Sequence, residues 1–67
     1  MKNLTLNNGE TATFMYVNDW GAPVYKLENG LMVCCSNCDG SYLHTMIGDY
    51  DEPDRPLKRA YQPVQVS

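Results

Sequence analysis

The stretch PVYKLENGLMVCC, residues 23–35, reads as two short strand-forming runs joined at Asn29-Gly30. A two-residue type I′ turn needs positive φ at both central positions, and Asn-Gly tolerates this better than most pairs. Such a turn sets a register in which Leu27 faces Met32, Lys26 faces Val33, Tyr25 faces Cys34 and Val24 faces Cys35. Side chains alternate along a strand. Tyr25, Leu27, Met32 and Cys34 are therefore expected on one face, and Val24, Lys26, Val33 and Cys35 on the other.

Turn signals recur outward from this hairpin at Asn8-Gly9, Asp19-Trp20-Gly21, Asp39-Gly40 and Gly48-Asp49. The intervals between them suit strands better than helices. Residues 11–17 (TATFMYV) are rich in β-branched and aromatic side chains, residues 41–47 less so, and residues 2–6 offer a weaker first strand. A turn at Asp39-Gly40 would place Cys35 opposite His44 and Val33 opposite Met46. The expected fold is all-β or β-rich: a small antiparallel meander of four to five strands, half-barrel-like, with an irregular C-terminal tail. No convincing helix is available to cover the sheet, so it must curl on itself or hide a face by forming a homodimer.

Residues 1–48 would make this sheet, and residues 49–67 an acidic loop and tail packed on it or extending from it. Pro53 and Pro56 remove backbone donors and bias their predecessors away from helix, so residues 49–56 read as a loop. Beyond it, residues 56–62 could make a helical turn or two, or residues 61–66 a short edge strand.

At 67 residues the chain is one domain with a thin core. Cores of this size seldom supply more than about 3 to 5 kcal/mol, so a metal, a disulfide or a partner would be a useful supplement. Eight acidic against five basic residues give a net charge of -3, which disfavours direct nucleic-acid binding through phosphates. The charge is also segregated. Residues 27–54 contain no Lys or Arg, and Arg55, Lys58 and Arg59 follow at once. There is no signal-peptide pattern and no run long enough to cross a bilayer, so the expectation is a cytoplasmic protein with free thiols and no membrane association.

Three cysteines and the single histidine fall within Cys34 to His44. Cys35-x2-Cys38 has the spacing by which a turn offers two thiolates to zinc, and His44 could be a third ligand, but a fourth is missing. The alternative is that these residues simply pack. A Cys35–His44 nucleophilic pair would also need an oxyanion donor and a cleft. Phosphate-binding glycine loops, G-x-S-x-G and H-E-x-x-H are all absent. The expectation is thus no enzyme, no cofactor and no bound metal, with a small zinc-stabilised module on Cys35, Cys38 and His44 as the competing reading.

Asp49, Tyr50, Asp51, Glu52 and Asp54 form a compact acidic stretch around an aromatic residue. It lacks the calcium-loop pattern, and reads either as a solvated loop or as an epitope for Lys and Arg on a partner. Phe14, Tyr16 and Tyr25 should mostly be core. Trp20, between Asp19 and Gly21 in a turn, either caps the core or stands exposed as an anchor.

Two phrases, Asp19-Trp20-Gly21-Ala22-Pro23-Val24-Tyr25-Lys26 and Glu52-Pro53-Asp54-Arg55-Pro56, resemble those of short uncharacterised bacterial and phage proteins with a D-W-x-R-P-V-Y-K hairpin and an E-P-D-x-P end. Ala22 stands where that pattern has Arg. The resemblance implies a mobile-element setting, in which very small proteins, anti-CRISPR proteins among them, block a host or defence protein. With the acidic stretch, it leads to the expectation of a non-enzymatic inhibitor acting in the bacterial cell. It would bind a larger, basic-surfaced host or defence protein through Trp20, Asp49, Tyr50, Asp51, Glu52 and Asp54.

Overall fold

The computed structural model describes residues 3–35, 42–47 and 52–64, with residue 52 seen through its backbone. Among the described residues six strands follow one another, each antiparallel to the last: β1 (Leu4–Thr5), β2 (Thr11–Val17), β3 (Pro23–Lys26), β4 (Met32–Cys35), β5 (Leu43–Ile47) and β6 (Glu52–Pro56). Their order in the sheet is their order in the chain, so the fold is a β-meander that does not close on itself. One 3-10 turn, Arg59–Tyr61, follows β6.

The hairpin at Asn29-Gly30 is real, but it is one residue longer than a type I′ turn. Gly30 N–H donates to Leu27 O (2.9 Å) and Leu27 N–H to Leu31 O (2.8 Å), which makes a loop of Glu28, Asn29 and Gly30. Gly30 has φ 92°, the left-handed residue that lets a type I turn rejoin its ladder. The register is therefore Val24 with Cys34, Tyr25 with Val33 and Lys26 with Met32. That shift of one residue exchanges the faces of β4. Cys35, not Cys34, joins Tyr25 and Leu27; Cys34 joins Val24.

The same loop form occurs twice more. Leu6 and Glu10 enclose Asn7-Asn8-Gly9, and Asn18 and Ala22 enclose Asp19-Trp20-Gly21, with the same two backbone bonds and a positive φ at the glycine. In two of the loops an Asn before the glycine accepts the N–H two residues on: Asn8 Oδ1 from Glu10 and Asn29 Oδ1 from Leu31, each at 2.9 Å. In the middle loop that position is Trp20, and Asn18 Oδ1 does the work instead, accepting from Trp20 N–H (2.9 Å) and Ala22 N–H (3.0 Å).

Burial follows the corrected register. The main core gathers Leu6, Ala12, Tyr25, Leu27, Val33, Cys35 and Leu43, with Leu4, Phe14, Leu57 and Tyr61 packed around it. Phe14 and Tyr25 meet edge to face at 5.8 Å between centroids. The opposite face carries a smaller cluster of Ala22, Val24 and Cys34, flanked by Met32 and Met46.

Residues 52–56, expected as part of a loop, form strand β6. Prolines are tolerated because β6 is the last strand and needs ladder bonds on one side only. Pro53 lies opposite Met46 and Pro56 opposite His44, with Asp54 and Arg55 together facing Thr45. Thr45 fills the irregularity: its Oγ1 accepts from Arg55 N–H (3.2 Å) and lies 3.4 Å from Arg55 O.

The tail ties the sheet's two ends together. Val64 N–H donates to Thr5 O (2.8 Å), Asn7 N–H to Gln62 O (2.9 Å) and Asn8 N–H to Ala60 O (3.0 Å), and Pro63 bridges Leu6. Gln62 points the other way, into β5. Its Oε1 accepts from Leu43 N–H (2.7 Å), and its Nε2 donates to Leu43 O (3.0 Å) and Leu57 O (2.9 Å). A helical turn and an extended segment thus both occur, in succession, where the sequence offered them as alternatives.

Candidate surface site

A run of exposed apolar side chains lies where β2 approaches its hairpin. Met15, Tyr16, Val17 and Trp20 are 46%, 42%, 54% and 57% exposed, although Tyr16 was expected in the core. Two features of β2 produce this. Alternation holds over Thr11-Ala12-Thr13-Phe14 and then breaks at an irregularity between Phe14 and Tyr16, so successive residues no longer take turns inside. β1 is also short, and pairs only with Thr11 and Ala12. Past Asn3, whose Oδ1 accepts Phe14 N–H (2.9 Å), no described strand lies alongside β2 on that side.

Trp20 is exposed at the hairpin tip and does not cap the core. Its loop leaves the sheet beyond Val17 and Pro23. The Ile47–Glu52 end of the β5–β6 pair lies at the sheet's opposite end, because β2 and β6 run the same way and that pair sits where β6 begins. Trp20 and the start of β6 at Glu52 therefore lie at opposite ends of the sheet. Asp54 is exposed on the edge strand, Glu52 opens β6, and Asp49, Tyr50 and Asp51 lie outside the described residues.

The cysteines and the histidine are arranged otherwise than expected. Cys34 lies opposite His44, and Cys35 opposite Leu43. Cys35 and His44 therefore stand on opposite faces of the sheet and cannot share an ion from these strand positions. Cys38 and the Asp39-Gly40 turn lie outside the described residues. Among the described residues no three of His, Cys, Asp and Glu gather as metal ligands. Cys34 and Cys35 are buried and form no disulfide. His44 stacks obliquely with Tyr42, centroids 5.1 Å apart, and its Nδ1 is buried with no hydrogen-bond partner among the described residues.

An open groove of about 490 Å³ lies along the tail, with Asn7, Tyr42, Leu57, Arg59, Pro63 and Val64 among its walls. Gln62 also borders it, but its side-chain donors and acceptor are already committed to Leu43 and Leu57. The groove offers apolar walls and one guanidinium.

Met15, Tyr16 and Val17 were missed as surface residues because strand-forming side chains on a seven-residue strand read as core. The available signal was the loss of alternation after Phe14. Among the described residues no helix is long and apolar enough to cross a membrane. No family model matches the chain, and no curated protein or solved structure shows significant similarity to it.

Proposed function

We propose that the chain is a small non-enzymatic binding protein that blocks a larger protein by docking Met15, Tyr16, Val17 and Trp20 against it. The observation that carries this reading is the exposure of these four large side chains within six residues of sequence, around the end of β2 where Tyr16 pairs with Val24 and Val17 with Pro23. Large apolar side chains exposed at one end of a small domain favour an interaction surface there, and Trp and Tyr dominate binding energy where they are desolvated. The acidic residues Asp49, Asp51, Glu52 and Asp54, with Tyr50, act as a second contact that steers the domain toward a basic partner surface.

The test is retention of a partner from bacterial lysate by the wild type, a Val17→Ser/Trp20→Ala variant and an Asp51→Lys/Glu52→Lys variant. The apolar variant should lose the partner at every salt concentration. The charge variant should lose it mainly through slower association at low salt. Undiminished retention by the apolar variant would remove the ridge from the account.

A further inference from the structure

We propose that Met32, Cys34, His44 and Met46 form a binding site for one soft monovalent cation, copper(I) being the metal that this donor set fits. Cys34 and His44 are direct cross-strand partners, so they share a face. Met32 lies two residues before Cys34 on β4, and Met46 two residues after His44 on β5, which continues the same face by one rung. Both methionines pack against the cluster that contains Cys34. The four side chains thus stand at the corners of a rectangle of about 5 Å across the strands and 7 Å along them, within reach of a common centre.

The donor types decide the metal. Two thioethers, a thiolate and an imidazole nitrogen select soft cations, whereas carboxylates or carbonyls would select hard ones. Charge points the same way. Cys34 would give up one proton as the metal–sulfur bond forms, and a singly charged ion then leaves a neutral centre in this apolar cluster, where a divalent ion would leave a net positive charge.

Packing alone explains part of the arrangement, since methionine and cysteine both serve as apolar filler. It does not explain His44, whose Nδ1 is buried without a hydrogen-bond partner among the described residues. A metal bound at that nitrogen would satisfy it. Lys26, opposite Met32 on this face, is exposed. The inference uses the opposite end of the cysteine run from the zinc reading, and does not depend on the binding ridge.

The test uses the full chain carrying Cys38→Ser, so that the remaining thiol outside the described residues does not compete. Copper(I) is titrated anaerobically against a chelator of known affinity, with the methionine methyls carbon-13 labelled. At one equivalent the Met32 and Met46 methyls and the His44 ring should shift and saturate together, with one proton released, while Met1 and Met15 stay in place. Met32→Leu/Met46→Leu, which nearly conserves volume and should keep the fold, is expected to weaken binding at least about tenfold. Unchanged affinity in that variant, an equal shift at Met15, or no saturation at one equivalent would overturn the proposal.

Discussion

Replacing Gln62 with Ala tests whether the tail is a structural clamp or an appendage. The side chain makes three hydrogen bonds, one from Leu43 N–H and two to the carbonyls of Leu43 and Leu57. Leu43 O would retain Leu57 N–H as a donor (3.1 Å), but the buried Leu43 N–H would lose the partner that the side chain supplies. At about 1 kcal/mol net per bond, with a further penalty for the stranded donor, the expected loss is about 2 to 4 kcal/mol. A core of this size supplies roughly 3 to 5 kcal/mol in all, so most of the stability is at stake.

Urea unfolding followed by far-ultraviolet circular dichroism reads this directly. With a slope of about 1 kcal/mol per molar urea, the midpoint should fall by about 2 M or more. Gln62→Glu adds a sign test. The introduced carboxylate would face two carbonyl oxygens in a buried position, so its folded pKa should lie above its unfolded value. The variant should then gain stability as pH falls through that folded pKa, because the protonated form can donate and the charged form cannot. A loss below about 0.5 kcal/mol in the Ala variant, with no pH dependence in the Glu variant, would refute the clamp.

Two further outcomes follow from the loops and the thiols. Gly30→Ala should cost about 1 to 2 kcal/mol by thermal melting even though nothing lies within 4 Å of the added carbon, because φ 92° is the whole penalty; Gly30→Asn should cost less. Cys34 and Cys35, both fully buried, should be alkylated only as fast as the domain opens, which site-mapped mass spectrometry will show as slow modification that urea accelerates; fast labelling of either in buffer would place it on the surface.

The strands Thr11–Val17, Pro23–Lys26, Met32–Cys35 and Leu43–Ile47 were legible because their β-branched and aromatic content and their bounding glycines agree with each other. The register was not. Asn-Gly suits two loop lengths, and what selects the longer one is a pair of contacts invisible as composition, Gly30 N–H to Leu27 O and Asn29 Oδ1 to Leu31 N–H. β6 was hidden because two prolines in five residues argue against a strand unless the strand is known to be an edge. Trp20 was legible as an anchor candidate, but its separation from the start of β6 at Glu52 depends on strand direction and order across the whole sheet. Met32 shared a face with Cys34 in the sequence, but the expected register between β4 and β5, off by one residue, set both on the face away from His44 and Met46.

The account turns on which face each cysteine takes, since the core, the exposed ridge and the Cys34–His44 pairing all follow from it. Cross-strand nuclear Overhauser contacts measure this most directly. Backbone contacts pairing Tyr25 with Val33, Cys34 with His44 and Cys35 with Leu43 are the predicted result. Contacts pairing Tyr25 with Cys34 and Cys35 with His44 would contradict it.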